Sequence, residues 1–430
     1  MLFSSIYFIL FLGLTNAAVH KFLAHTYRLD RVEAEIRQNA LKRMRFQQIR
    51  EHWPEFDDQN GLQPSIALNH SETTYNLYLT NITVGTPAQT FVAEIDLWYG
   101  SDLCVISSSA NLSVVDDRLA EKHTYNSSES SSFVDLKGKF ADWVCGYGIN
   151  GSDQVTVDTA SANVAMGIVD NLGYEISQYP IDAMLGLNPS TPQSNKDNLV
   201  SQLVAGLDKP IVSWWQNESS FYEGPAQLTL GGEDIDNCRS NYVYAPQIPS
   251  INGFNDFGVH LVSASIDGMP NSEKGLNTTL QLWHGHNRIY CSDDFFYLMT
   301  NASNASWNET IEEWEVDCDV SKVKNITLNI GSNGNTTDSN TKQLVLTGVD
   351  YIRYYSWYDK CVVYAAKYKR IRHVEMTFRF LNNHCLAYNV KEKTVGFADA
   401  KWINSQLRTS PPPFSYSTVS PSTAQSKVQR

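Results

Sequence analysis

Three side chains suited to acid–base or metal chemistry lie beside two short apolar segments of this 430-residue chain. Asp96 ends the alternating stretch TFVAEID, whereas His284 and His286 follow Leu282-Trp283. An imidazole titrates near neutral pH, so either histidine could serve as a base or a metal ligand, with Asp96 and His284 as the conceivable pair. No nucleophile or third ligand accompanies them, and alternate residues of a strand point to opposite faces. The sequence therefore predicts no metal, no cofactor, and histidines that face solvent or make structural hydrogen bonds.

The elements that must position these residues are strands. From about Thr73 to Trp402, short apolar or alternating runs are separated by Gly, Pro, Asn and Ser, as in YNLYLTNITVG and VHLVSASIDG. This pattern is typical of an all-β protein, with a strand every 8–12 residues. Helices are predicted only over Lys196 to Leu207 and Asp293 to Asn301.

Five motifs in order carry a resemblance to a known family. The phrase ITVGTPAQTFVAEID resembles the entry strands of pepsin-like aspartic proteases, and four further matches follow: IDAMLGLNPS (181–190), GPAQLTLGGEDIDNC (224–238), FGVHLVSASIDG (257–268) and CLAYNVKEKTVGFADAKW (385–402). The runs LGGEDIDNC and HCLAYNVKEKTVGFA are most similar to nematode secreted members. The resemblance implies an all-β, bilobal pepsin-like fold with a substrate cleft between the lobes, over residues 73–236 and 237–403.

In that family, two carboxylates about 3 Å apart share one proton, because like charges that close cannot both ionise. Asp96 matches the first family aspartate, but Leu97-Trp98-Tyr99-Gly100 follows where the family has Thr-Gly, and the loop is one residue longer. A tryptophan cannot replace a glycine that needs a positive φ without strain. Asp96 is therefore expected to be a misplaced family aspartate or an ordinary strand-end acid, and Trp98 and Tyr99 are expected at the cleft.

The second half of the dyad is missing from the sequence. Where the family has Asp-Thr-Gly, this chain has Trp283-His284-Gly285, so Trp283 replaces the second aspartate. The nearest acids in the sequence are Glu273 and Asp293, ten residues away on each side. One carboxylate cannot form a shared-proton pair, and loss of peptidase activity is expected.

The flap of the family corresponds to the stretch Trp143 to Gly148, which is two residues shorter than the family pattern. Trp143 is expected to cover the cleft or to pack in the core, and Tyr147 is a second candidate for the cover. Family-like pairing implies the disulfides Cys318–Cys361 and Cys238–Cys385. Of the remaining cysteines, Cys104 and Cys145 are expected to bridge and pin the flap, with Cys291 as a free thiol; the alternative is that all three are buried and free.

The ends of the chain differ from its body. Residues 1–17 hold an uncharged apolar run ending in Thr-Asn-Ala, which predicts a cleaved secretory signal rather than a membrane anchor. Residues 18–72 form a basic segment in which residues 18–53 carry a net charge of +4, leaving −17 on residues 54–430. Apolar residues at helical spacing predict an amphipathic arm there, either a solvated helix or a propeptide lying over an acidic surface. Residues 404–430 are Pro/Ser/Thr-rich and predicted to be disordered.

Composition limits the partners. The net charge of −13 argues against nucleic acid, and no later segment is apolar enough to enter a membrane. Widely spread cysteines without a CxxC pair favour disulfides in an oxidising compartment. Secretion as a heavily glycosylated monomer is expected from the signal and twelve Asn-x-Ser/Thr sequons, at Asn69, Asn81, Asn111, Asn126, Asn150, Asn217, Asn277, Asn301, Asn304, Asn308, Asn325 and Asn335.

Three functions follow from these features. The first is a pseudoprotease whose cleft binds an extended peptide or protein, with aromatic contact area from Trp98, Tyr99, Trp143 and Trp283. The second is a divergent but active aspartic endopeptidase that pairs Asp96 with an unrecognised acid. The third is a structural or decoy glycoprotein whose cleft is filled by Trp98 and Trp283.

Overall fold

Alternating and β-branched segments form strands throughout the body of the protein. The computed structural model describes residues 20–28, 76–97, 103–115, 122–142, 144–158, 160–188, 199–207, 209–216, 226–248, 257–283, 288–331, 341–355, 358–367 and 373–401. The predicted signal, the tail, and Trp98, Tyr99, Trp143, His284, Gly285 and His286 lie outside these ranges. Among the described residues, no helix is long and apolar enough to cross a membrane.

Among the described residues up to 246, the structure has eleven strands. They are β1 (His20–Arg28), β2 (Asn76–Val84), β3 (Gln89–Asp96), β4 (Leu103–Ile106), β5 (Val134–Asp142), β6 (Gly146–Val157), β7 (Ala160–Leu172), β8 (Ala183–Gly186), β9 (Ile211–Gln216), β10 (Ala226–Leu230) and β11 (Val243–Pro246). Two short helices accompany them, α1 (Tyr174–Gln178) and α2 (Leu199–Val204).

The described residues after 246 contain thirteen strands. They are β12 (Val259–Ile266), β13 (Lys274–Trp283), β14 (Ile289–Cys291), β15 (Ser306–Asn308), β16 (Glu313–Val316), β17 (Ile326–Gly331), β18 (Lys342–Leu346), β19 (Ile352–Tyr355), β20 (Lys360–Val363), β21 (Ala365–Lys367), β22 (Val374–Thr377), β23 (His384–Asn389) and β24 (Thr394–Asp399). The helices are α3 (Asp293–Ser303) and α4 (Gly348–Tyr351). Ser292 caps α3 by accepting from the Phe295 amide.

The all-β, bilobal pepsin-like fold is confirmed. One sheet of thirteen strands runs in the order β11-β24-β23-β9-β10-β1-β2-β3-β8-β4-β7-β6-β5. The strands from β2 to β5 in this order form the first lobe. The strands from β11 to β10 in this order combine strands from the middle of the chain (β9, β10 and β11) with strands from near its end (β23 and β24). Sheets of seven strands (β18-β17-β12-β13-β22-β14-β21) and four strands (β15-β16-β20-β19) form the second lobe.

Two sequence expectations about helices have different outcomes. The predicted helices near Lys196–Leu207 and Asp293–Asn301 are present as α2 and α3. The predicted helical arm is wrong over residues 20–28, which form strand β1 instead. The reason is tertiary, because the first five residues of β1 pair with β10 and the last four pair with β2. The positions that suggested helical spacing, from Val32 to Met44, lie outside the described residues.

Candidate active site

The two lobes place the candidate site on matching pairs of parallel strands. In the first lobe β3, β8, β4 and β7 are neighbours in that order, and in the second lobe β13, β22, β14 and β21 are neighbours in the same order. In both lobes the first pair is parallel, the second antiparallel and the third parallel. The same local topology is therefore used twice.

Asp96 and Trp283 occupy equivalent positions in this repeated topology. Asp96 is the last residue of β3 and pairs with Gly186, the last residue of β8. Trp283 is the last residue of β13 and pairs with Thr377, the last residue of β22. The position that corresponds to Asp96 in the second lobe thus carries an indole rather than a carboxylate.

Asp96 lies in a well-packed setting. The residue is 4% exposed, and its backbone carbonyl oxygen accepts a hydrogen bond of 2.8 Å from the Leu187 amide. The connection from β3 to β4 spans six residues, 97–102, whereas the connection from β13 to β14 spans five, 284–288. Of these two connections, the structure describes Leu97, which is buried, and Arg288, whose guanidinium forms an ion pair with Glu313.

One buried acid near this position escaped the sequence analysis. Glu375 on β22 is fully buried and pairs with Gln281 on β13, two residues before Trp283. Its Oε1 accepts a hydrogen bond from Gln281 Nε2 at 3.2 Å and contacts His373 Nε2 at 2.7 Å. The three polar side chains form a network within the second lobe.

The position of Glu375 argues against it as a substitute for the missing aspartate. Two residues along a strand span about 7 Å, so the backbone of Glu375 lies about 7 Å along the strand direction from the level of Trp283. A shared-proton pair needs carboxylates about 3 Å apart. Its carboxylate is also engaged by Gln281 and His373. Glu375 is therefore assigned to packing and hydrogen bonding in the second lobe.

The flap hairpin is fixed by a disulfide. Strands β5 and β6 form the hairpin, and Cys145 in its turn is bonded to Cys104 on β4. Both cysteines are fully buried, and Val144 beside them is 2% exposed. The Asp142 carboxylate accepts hydrogen bonds from the Val144 and Cys145 amides at 2.7 and 2.9 Å. The turn is consequently held against the first lobe by the disulfide, and its shape is stabilised by hydrogen bonds from its own backbone amides.

Backbone contacts reinforce the same turn. The Gly173 amide donates to the Cys145 carbonyl oxygen at 2.8 Å. Gly146 has a φ of +119°, and a Cβ there would lie 2.0 Å from the Asn171 carbonyl oxygen, so only glycine fits. Tyr147, the second candidate for a cleft cover, is 59% exposed.

The expected cysteine pairing is confirmed, both for the two bonds that the resemblance implies and for the flap bond, so the alternative of three free buried cysteines is wrong. Disulfides join Cys104–Cys145, Cys238–Cys385 and Cys318–Cys361. Cys291 is a free buried thiol, and burial raises its pKa, which keeps the thiol protonated. Within the described ranges, no group of three or more His, Cys, Asp or Glu side chains is arranged to hold a metal ion.

Comparison with known proteins identifies similar sequences. A family model described as eukaryotic aspartyl protease matches residues 77–400. Aspartic protease 17 of Caenorhabditis elegans is 26% identical over 189 residues, which cover 41% of this chain and 48% of that protein. Aspartic protease 6 of the same organism is 25% identical over 194 residues, covering 39% and 46%. Aspartic protease 1 is 26% identical over 188 residues, covering 40% and 46%. The chain spans about half the length of these curated relatives.

Proposed function

We propose that this chain, which belongs to the eukaryotic aspartyl protease family, is a secreted pseudoprotease that binds an extended peptide or protein segment between its lobes. The observation that carries the proposal is the strand-end equivalence of Asp96 and Trp283. Family chemistry requires one carboxylate to activate water while its protonated partner polarises the scissile carbonyl. Asp96 alone cannot take both roles at once, so the cleft binds without cutting.

The fixed flap supports binding to a preformed surface. A flap that closes over substrate must move, whereas the Cys104–Cys145 bond holds this hairpin turn against β4. A preformed site orders fewer groups on binding and so loses less conformational entropy. Extended ligands add β-like hydrogen bonds to such surfaces, and aromatic side chains supply contact area. Trp98, Tyr99, Trp143 and Trp283 are the residues assigned to that contact.

The compartment follows from covalent chemistry. Three disulfides fit an oxidising lumen or the extracellular space. Modification of the sequons requires asparagines that can carry a bulky glycan at the surface. Of the nine sequon asparagines that the structure describes, six are exposed, namely Asn81, Asn111, Asn277, Asn301, Asn304 and Asn325. We assign the protein to the secretory pathway as a glycosylated monomer.

A peptide-binding measurement tests the proposal. Fluorescently labelled peptides from a random library should bind the purified protein between pH 4 and 7 and remain intact. Trp283→Ala should weaken that binding by about tenfold or more, as expected for an aromatic anchor. The control is Trp307→Ala, because Trp307 is 45% exposed on strand β15 of the four-stranded sheet. Absence of any bound peptide, or equal affinities for Trp283→Ala and wild type, would reject the peptide-binding cleft and favour the structural or decoy glycoprotein.

A further inference from the structure

A row of aromatic side chains connects helix α3 with the four-stranded sheet of the second lobe. The centroid of the Phe296 ring lies 6.0 Å from that of Tyr297 and 5.9 Å from that of Trp314. Trp314 on β16 lies opposite Trp307 on β15, with 6.0 Å between their centroids. Phe296 is buried, whereas Tyr297 and Trp307 at the two ends of the row are each 45% exposed. The row therefore presents aromatic surface to solvent at both of its ends.

The Tyr297 end of the row lies on the solvent-facing stripe of α3. The exposed residues of this helix are Asp293, Asp294, Tyr297 and Asn301, and the exposed C-cap Asn304 follows three residues later. Residues 297 and 301 are four apart, so they lie one above the other on the same helix face. Side chains of a helix lean toward its N-terminus, which directs Asn301 over the turn that carries Tyr297. A group attached to the Asn301 side chain therefore meets the Tyr297 ring.

Asn301 begins the sequon Asn-Ala-Ser, and its side-chain amide is available for modification. In the part of the chain that the structure describes, the Asn301 amide nitrogen makes no hydrogen bond. Other sequon amides are engaged, because Asn150 Nδ2 donates to the Lys139 carbonyl oxygen at 2.9 Å. Asn308 Nδ2 likewise donates to the Glu315 carboxylate at 2.6 Å. An N-linked glycan is bulky and needs a surface position, and Asn301 combines exposure with an uncommitted amide.

Two further exposed sequon residues lie at the same end of α3. Asn304 is its C-cap, in the left-handed conformation with a φ of 52°. The Lys324 amide donates to the Ala302 carbonyl oxygen at 3.0 Å, which places Asn325 beside the last turn of the helix. A protein partner that covered Tyr297 would meet these glycan acceptors, whereas a glycan on the helix covers the ring without any partner. This arrangement favours carbohydrate over protein as the cover of Tyr297.

We propose that Asn301 carries an N-linked glycan whose first sugar packs on the Tyr297 ring, so that the chain's own carbohydrate covers this end of the aromatic row. The sugar donor is a lipid-linked oligosaccharide diphosphate of the secretory pathway. Asn301 Nδ2 loses a proton and forms a bond to C1 of the first N-acetylglucosamine. The bond from C1 to the diphosphate oxygen breaks, and its electron pair and the proton leave with the lipid diphosphate. The C–H groups on one face of the sugar pack on the negative π-face of the phenol ring. The inference rests on the assignment of the chain to the secretory pathway and is independent of peptide binding in the cleft.

Glycopeptide mass spectrometry of the secreted protein locates the modification directly. The full chain would be expressed in a eukaryotic secretory host, and fragmentation that retains the sugar would distinguish Asn301 from Asn304. The expected result is a glycan on Asn301 in most molecules. An unmodified Asn301 in a protein that carries glycans at other sequons would overturn this inference alone. Absence of glycans from every sequon would overturn the secretory assignment as well.

A double-mutant cycle tests the contact between the sugar and the ring. Asn301→Gln removes the glycan and should lower the melting temperature by about 2 °C when Tyr297 is present, but change it little in a Tyr297→Ala background. The matched control is Asn325→Gln, which removes an exposed sequon at the same end of α3 and should leave the melting temperature unchanged. Equal shifts for Asn301→Gln in both backgrounds would reject the contact with Tyr297. Self-association of the wild type that is lost in Tyr297→Ala would identify a second copy of the chain as the cover and overturn the proposal.

Discussion

Removal of the Cys238–Cys385 disulfide should lower the free energy of unfolding by about 5 kcal/mol, the largest effect expected among the disulfides Cys104–Cys145, Cys238–Cys385 and Cys318–Cys361. This bond closes a loop of 147 residues, and the entropy that a crosslink removes from the unfolded chain grows with loop length. It also joins Cys238, which precedes strand β11, to Cys385 on strand β23 near the end of the chain. Both cysteines are buried beside Trp215. The bond therefore stabilises the half of the thirteen-stranded sheet that contains β9 and β23.

The measurement is urea unfolding of a Cys238→Ala/Cys385→Ala variant, compared with a Cys318→Ala/Cys361→Ala variant. The second bond closes a loop of only 43 residues within the second lobe. Its removal should cost about 4 kcal/mol, about 1 kcal/mol less than removal of the first. A reversed order would show that loop length does not set the contribution of these bonds.

Opening the flap disulfide should destabilise the protein by about 4 kcal/mol without creating peptidase activity. The Cys104–Cys145 bond closes a loop of 41 residues and fixes the β5–β6 turn. A Cys104→Ser/Cys145→Ser variant frees the turn at residues 144–146, so their amides should exchange faster with solvent. The second carboxylate is still missing, so a mobile flap alone cannot start hydrolysis.

Hydrogen exchange and a peptide-cleavage assay on the same variant separate these two effects. The amides of β10, far from the flap in the order of the sheet, serve as the internal control. Unchanged exchange at 144–146 would mean that the Asp142 and Gly173 hydrogen bonds hold the turn without the disulfide. Cleavage gained by the variant would mean that the disulfide, and not Trp283, blocks activity.

The sequence predicted the class of fold well because strand signals are local. Alternation in segments such as TFVAEID, now β3, and the order of five motifs were sufficient for a bilobal β protein. Strand β1 was missed because its partners β10 and β2 lie about 200 and 50 residues away, and no local pattern records such pairing. The short helices α1 and α4, of five and four residues, give too little periodicity to be detected.

The candidate site was predicted only in part, again because sequence patterns record local structure and not long-range pairing. Asp96 and Trp283 each stand at the end of an alternating run, so their positions can be read from local sequence. The network of Gln281, His373 and Glu375 cannot be predicted from local sequence, because the parallel pairing of β13 and β22 brings residues 281 and 375 together. Flap pinning was predicted because Cys104 stands where the family has a Trp under the flap and Cys145 lies on the flap hairpin. Their separation of 41 residues carried no pairing signal by itself.

The central claim is that one carboxylate stands where catalysis needs two. The measurement that tests it most directly is cleavage of a diverse peptide library by the purified secreted protein from pH 2 to 7, beside an Asp96→Asn variant. We expect no turnover by either protein at any pH, with an active pepsin-like protease cutting the same library as the positive control. Turnover by the wild type that disappears in Asp96→Asn would mean that a second acid completes the dyad and that the assignment of Trp283 is wrong.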